Sequence, residues 1–392
     1  MNIQDKVLEE VDSISYPTVK EESWRFTDLS RLNNHSFNGS WKNSNLTFDK
    51  FSEVYLVFEN GKLLLEKSNI ELLPTGVELK SINNYDGLKL DALKSKKNGL
   101  INLNISNFSD GYYLKINKNI NVDIPIHIIY LTDSPNLLNC VRNYVEIGDN
   151  STVTIIEEYI GEDTVIYLTN SITEIYGGKN CDIDHYKYQN EGSNSFHFQT
   201  VEATIDSNSI FNNHSISIGC ELGRNDIRGI FSGENSEIAC NGLYMLKNNQ
   251  LFDTHLFMDH AVPHCRSHEL YKGILADKSK GVFCGRILVQ PDAQQTDAIQ
   301  SNANLLLSRS AKVNTMPQLE IYADDVKCTH GATIGEIDEK AIFYMKSRGL
   351  DEFTANKLLT FAFANEVISE IRFKPIKEKI EKSIESWLKK VL

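Results

Sequence analysis

The period of the apolar residues changes twice along the chain. Ile3, Val7, Val11 and Ile14 fall at helical spacing and Pro17 closes the run, which predicts a helix at the start. After "EESWRFTDL" (21–29) the pattern becomes strand-like in "EVYLVFENGKLLLE" (53–66), where Asn60-Gly61 predicts a hairpin turn. A polar, Asn- and Lys-rich passage then leads to Gly99, where the domain boundary is placed.

From 100 to 335 helical patterns are nearly absent and short polar turns recur, each with an apolar residue at its end. They are "GDNSTV" (148–153), "GKNCDI" (178–183), "DSNSIF" (206–211), "GENSEI" (233–238), "DKSKGV" (277–282) and "SRSAKV" (308–313). Their starts lie 30, 28, 27, 44 and 31 residues apart. A repeat of about 30 residues is too small to bury its own apolar face, so repeats must stack. Strands and turns without helices make the stack a β-helix, with an antiparallel sandwich as the alternative. The 44-residue interval is expected to hold an insertion or a partial extra coil. Val153, Ile183, Phe211, Ile238, Val282 and Val313 are expected to point inward along one edge.

Beyond 335 the period becomes helical. "DEKAIFYMKSRG" predicts a helix capped by Gly349. Leu358, Phe361, Ala362, Asn365, Ile368 and Ile371 predict a second, ended by Pro375. Ile376, Ile380, Ile384, Trp387, Leu388 and Val391 form the stripe of a third. Phe361 and Phe363 point apart on such a helix, which leaves one of them to face a partner.

Charge removes some functions. Forty basic against fifty-three acidic residues give −13, which argues against nucleic acid or an anionic membrane as partner. No apolar run approaches the roughly 18 residues of a spanning helix, and the acidic, amphipathic N-terminus is unlike a signal peptide. Seven cysteines without a C-x-x-C pair fit a reducing cytoplasm rather than a disulfide framework.

The candidate chemistry is sparse. There is no phosphate loop, nucleophile elbow, zincin or dinucleotide motif. "HLFMDHAVPHCRSH" (255–268) spaces His260, His264 and His268 for zinc on a helix, but Pro263 interrupts any such helix. A stand-alone zinc protein is one competing function. A carbohydrate-active β-solenoid is another, with Asp324-Asp325 as its only tight acidic pair. Adjacent strand residues point to opposite faces, which weakens that pair. In "IYADDVKCTHGATIG" (321–335), Cys328 and His330 share one face if the segment is a strand. Metal ligation, catalysis, a contact surface and core packing all remain open for them.

Longer stretches carry a resemblance. "PHCRSHELYKGIL" (263–275), "GVFCGRILVQPDAQQTDAIQSNANLLLS" (281–308), "PQLEIYADDVKCTHGATIGEIDEKAIFYMKSRGL" (317–350) and "FAFANEVI" (361–368) closely resemble the SufB/SufD family of iron–sulfur cluster assembly proteins. "EESWRFTDL" matches a typical N-terminal stretch of that family. His330-Gly331-Ala332-Thr333, where the SufB branch typically reads His-Glu-Ala-Ser/Thr, and the lack of a clustered N-terminal cysteine motif place the chain nearer the SufD branch.

The resemblance implies a mainly β fold: a mixed α/β domain (1–99), a right-handed parallel β-helix (100–335) and a helical domain (336–392). It implies a non-catalytic scaffold of the SufBCD complex, paired with SufB and docked to the ATPase SufC. Cys328 and His330 are then metal ligands for a transient cluster shared with SufB. Ser347, Arg348, Gly349, Phe361, Asn365 and Glu366 match the region that docks SufC. No permanent cofactor is implied for the isolated chain, and a reduced flavin belongs, if anywhere, to the assembled complex. An isolated chain is free to pair with itself through the surface meant for SufB.

Overall fold

The structure is a computed structural model that describes residues 15–85 and 99–392. The helix predicted from Ile3 to Ile14 lies outside the described residues. The chain enters as β1 (Val54–Glu59) and β2 (Lys62–Leu63), an antiparallel pair joined by Asn60 and Gly61, both at positive φ as a tight hairpin requires. β3 (Val77–Ser81) and helix α1 (Gly99–Asn107) follow, then β4 (Tyr112–Ile116), β5 (Ile126–Thr132) and β6 (Leu137–Ile147). The repeat continues through β7 (Thr152–Gly161), β8 (Tyr167–Gly177), β9 (Asp182–Glu191), β10 (Phe196–Ile205), β11 (Ile210–Gly219) and β12 (Leu222–Phe231). Next come β13 (Glu237–Leu246), β14 (Leu251–His260), β15 (Arg266–Leu275) and β16 (Lys280–Val289). β17 (Asp297–Leu306), β18 (Lys312–Ile321) and β19 (Lys327–Glu336) complete it. Three helices close the chain: α2 (Glu339–Ser347), α3 (Glu352–Ile368) and α4 (Lys374–Val391).

From β5 onward, odd-numbered strands pair in parallel with odd and even with even. One sheet runs β19-β17-β15-β13-β11-β9-β7-β5-β1-β2, the other β18-β16-β14-β12-β10-β8-β6-β4-β3. The chain therefore winds as a parallel β-solenoid, one strand in each sheet per coil. The two sheets continue through β1 to β4, on both sides of residue 99.

Each coil must turn sharply between sheets, and the corner residue takes a left-handed backbone. Asn tolerates that conformation better than other residues with a side chain. Asn119, Asn150, Asn180, Asn208 and Asn235 occupy one edge with φ between 55° and 63°. Their amides also form a ladder: Asn150 Nδ2 donates to Asn119 Oδ1, and Asn180 Nδ2 to Asn150 Oδ1, each at 2.8 Å. Later coils place His264 and Gln295 at corners with the same backbone.

This explains the irregular interval. The first four sequence turns precede β7, β9, β11 and β13 of one sheet, whereas the last two precede β16 and β18 of the other. The 44 residues from 233 to 277 therefore span one coil and the half-coil to the opposite edge, not an insertion. Val153, Ile183, Phe211 and Ile238 do stack in one interior column. Val313 lies in the second sheet, packed beside Phe252 and Tyr244 and only half-buried. Val282 is buried but follows the inward-register Gly281, so it points to the outer face.

Both outer faces are covered. Trp24, Leu29, Leu32, Leu100 and Leu103 pack on Leu168, Phe196, Phe198, Leu222 and Leu251 of the even sheet. On the odd sheet, Val367, Ile368, Ile376, Ile380, Ile384, Trp387 and Leu388 pack on Ile156, Tyr186, Tyr188, Ile216 and Ile274. The stripe of α4 is the predicted one. That of α3 is not: Ala355, Thr360, Ala364, Val367 and Ile368 are buried, while Leu358, Ala362 and Asn365 are exposed. Small residues face the sheet there and let the helix approach closely.

Candidate functional site

The solenoid ends at β18 and β19, and among the described residues no strand pairs with their outer edges. An unpaired edge presents free backbone donors and acceptors and is ordinarily shortened, charged or covered. Here both strands are ten residues long. Nearby, Tyr322 is 63% exposed and Ile334 48%.

Cys328 and His330 sit on β19. The segment read as one strand is in fact two, because the chain turns a corner at 322–326 between β18 and β19. Asp324 and Asp325 lie exposed on that corner, where they line no groove. The same-face relation of Cys328 and His330 survives. Cys328 pairs in register with Ala298 and His330 with Gln300, both buried inward residues of β17. The sulfur thus continues the column Val153, Ile183, Phe211, Ile238, Ser267, Ala298 and packs partly against the core. Burial pushes the Cys328 thiol up, while the backbone of Ala298 pulls the other way. His330 is exposed.

Behind His330 the interior is polar. Gln300 donates from Nε2 to Glu269 Oε2 at 2.6 Å, and Glu269 stands beside Cys240. Burial pushes the Glu269 carboxyl up to about 8 against the pull of Gln300. Gly331 has nothing within 4 Å of where a Cβ would stand, so this chain's own packing does not require glycine there. Two donors on an open edge do not close a metal site, which takes about four. What they offer is half of one.

The helical candidates are divided by the structure. Ser347, Arg348 and Gly349 form the exposed C-terminal end of α2, where Gly349 takes φ 94° and its N–H donates to Lys346 O. Asn365 and Glu366 are exposed on α3, and Glu366 is held by Lys272 Nζ at 2.5 Å. Phe361 and Phe363 are both half-buried in the seam against the solenoid, with Lys272 Nζ 4.2 Å from the Phe363 ring. The aromatic residues left in solvent are others: Phe343 at 76%, Tyr344 at 58% and Phe353 at 44%. Their signal was present in "KAIFYMKS", since Ala341, Ile342 and Met345 share the half-buried side and leave Phe343 and Tyr344 outward.

The 255–268 histidines do not converge. His255 lies on β14 and lines a cleft, His260 points inward with Nε2 2.9 Å from Ser267 Oγ, His264 holds a corner at φ 63°, and His268 is exposed. A corner replaces the helix on which their spacing depended. Among the described residues no three His, Cys, Asp or Glu side chains gather as a metal site.

Comparison with known proteins settles the family. The model of the SUF system FeS cluster assembly, SufBD core domain, matches residues 130–363. The chain belongs to the SufBD family. A SufBD-family iron–sulfur cluster assembly protein of Synechocystis is 32% identical over 387 residues, covering 92% of this chain and 84% of the relative. The iron–sulfur cluster assembly protein SufD of Escherichia coli is 29% identical over 382 residues, with 95% and 89% covered. A chloroplastic protein of Arabidopsis thaliana is 30% identical over 422 residues, with 98% and 86% covered. The SufBD core match spans β6 to β18, β19 with its Cys328 and His330, and α2 into α3. Among the described residues of this SufBD chain all seven cysteines are free, and no helix is long and apolar enough to cross a membrane.

Proposed function

We propose that this SufBD-family chain is the SufD-type scaffold of a SufBCD complex, holding one half of a shared iron–sulfur assembly site. The observation that carries the reading is the uncapped β18/β19 end with Cys328 and His330 on its inward face. A SufB-type solenoid presented edge to edge would pair the free backbone groups and cover Tyr322 and Ile334. Thiolate and imidazole suit iron, and ligands divided between two chains let a cluster form and be released. The cluster is cargo here. SufC docks on the exposed ends of α2 and α3, around Arg348 and Asn365, with Phe343, Tyr344 and Phe353 as additional apolar anchors. ATP-driven movement of SufC would act on the site through these helices, without turnover by this chain.

Co-expression with SufB and SufC from the same source tests the assembly. The account expects a complex in which this chain and SufB are present in equal amounts. Recovery of this chain alone, or as a dimer with itself in the presence of SufB, contradicts it.

A further inference from the structure

On the outer face of the even sheet lies a cleft of about 600 Å³, away from the inward-facing Cys328 and His330. Its floor is a single register row across four strands: Asp226 of β12, His255 of β14, Cys284 of β16 and Met316 of β18. Glu22 and Ser23 of the "EESWRFTDL" segment border it, as do Arg228, Phe257 and Arg286. Neither His255 nor Cys284 has a part in the proposed cluster site.

The row is organised from behind. Arg224 is buried, its guanidinium 3.8 Å from the centre of the Trp24 ring, and it donates to Asp253 Oδ2 at 3.0 Å. Thr27 Oγ1 donates to the same oxygen at 2.6 Å. The other carboxylate oxygen, Oδ1, stands 3.1 Å from His255 Nε2. Asp253 is thereby fixed, and it fixes the imidazole. The Cys284 side chain reaches that imidazole from the next strand. Burial opposes charge on His255, but the Asp253 carboxylate outweighs it and raises the imidazole to about 9, with Arg224 opposing and Cys284 assisting. At neutral pH His255 is therefore a cation beside the sulfur. Carboxylate, imidazole and sulfur in this order are the parts of a nucleophile, its proton partner and the group that orients the partner.

We propose that Cys284 is a nucleophilic thiol served by His255 and Asp253, and that the cleft admits a small molecule with an electrophilic sulfur–sulfur bond. Acyl transfer is not what this site is built for. That reaction is commonly served by backbone N–H groups aimed at the developing oxyanion, and those around Cys284 are engaged in the sheet, since it lies mid-strand with a parallel strand paired on each side. Sulfur exchange needs only an attacking sulfur, an in-line approach and a stabilised leaving thiolate. In the step, the Cys284 thiol gives up its proton to solvent, because the cationic His255 cannot take it, and the thiolate Sγ held beside that imidazolium attacks one sulfur of the substrate. The new S–S bond forms as the old one breaks, the departing thiolate takes a proton from His255, and no net electrons are exchanged. A disulfide leaves a mixed disulfide on Cys284; a persulfide attacked at its terminal sulfur leaves one sulfur atom.

The test uses the full-length wild-type chain exposed separately to oxidised glutathione and to glutathione persulfide, with the rate of adduct formation at each cysteine read by peptide mass. Cys328, which is less buried, is the internal reference. The proposal expects Cys284 to react at least tenfold faster than Cys328 with one or both reagents, and the adduct mass tells a mixed disulfide from a persulfide. His255→Gln should slow Cys284 at least tenfold and leave Cys328 unchanged, with circular dichroism confirming the fold. Cys284 reacting no faster than Cys328 overturns the proposal, as does a folded His255→Gln variant with an undiminished Cys284 rate. If that variant does not fold, the wild-type ratio decides.

Discussion

The two ends of the solenoid are made of the same kind of strand and finish in opposite ways. At the first end, β1 is buried throughout, and Leu63, Ile70, Leu73 and Val77 fold over the core as a lid. β2 and β3 run antiparallel there, which ends the parallel stack. At the last end the strands keep full length and parallel register, yet β19 is exposed at every residue except Cys328. Burial at one end stabilises the fold. Exposure at the other keeps the backbone edge, apolar side chains and the Cys328 thiol and His330 imidazole available, at a cost in stability that a partner can offset.

Truncating a core residue should separate the ends most sharply. Phe58, fully buried and stacked 4.9 Å from Tyr130, should cost about 3–5 kcal/mol as Phe58→Ala. Ile334→Ala should cost about 0.5 kcal/mol or less in the isolated chain. Urea denaturation of both variants makes the comparison, and equal losses would mean that the last end is packed as well as the first.

The next effect concerns the polar interior behind His330. Glu269 is raised from its ordinary 4.5 to about 8, so the folded chain holds its proton more tightly than the unfolded chain does. Its contribution is present below the ordinary value and is lost as pH rises through about 8. With about 1.4 kcal/mol per unit, the loss is on the order of 5 kcal/mol. Glu269→Gln should remove that slope and be more stable than wild type at alkaline pH, measured by melting at a series of pH values. An unchanged slope would show that Glu269 is ionised in the fold.

Smaller again is the corner ladder. Asn180→Ala, at φ 55°, should cost about 1–2 kcal/mol by denaturation, because alanine lacks both the tolerance for that backbone and the amide bonded to Asn150. The smallest stability effect is expected at Gly331. With open space around it, Gly331→Lys should melt within about 0.5 kcal/mol of wild type. In a binding titration with SufB it should nonetheless weaken pairing, since its side chain, on the outward face of β19, would stand beside the cross-strand neighbour that the partner strand brings.

The sequence made the solenoid legible because corner chemistry repeats: an Asn-containing polar turn followed by an inward apolar residue recurs for four coils. The edge change is hidden because His264 and Gln295 take over the same corners without Asn, and the next matching turn, "DKSKGV", lies on the other edge. Cys328 and His330 were legible through period two alone, which holds on β19 despite the unforeseen corner at 322–326. What could not be read was the buried face of α3, because that helix buries alanine and threonine where the apolar pattern pointed to Leu358 and Ala362. The Asp253–His255–Cys284 cluster was equally invisible, since Cys284 comes from the next strand and its alignment with His255 is set by register rather than spacing.

The most direct test of the shared site is paired measurement on complexes carrying Cys328→Ala and His330→Ala, purified with SufB and SufC. The melting temperature and the absorbance of reconstituted cluster are read on the same samples. The account predicts near-normal melting, a normal complex and a sharp fall in cluster absorbance. Normal cluster yield with lowered melting would make the two residues core filler and contradict it.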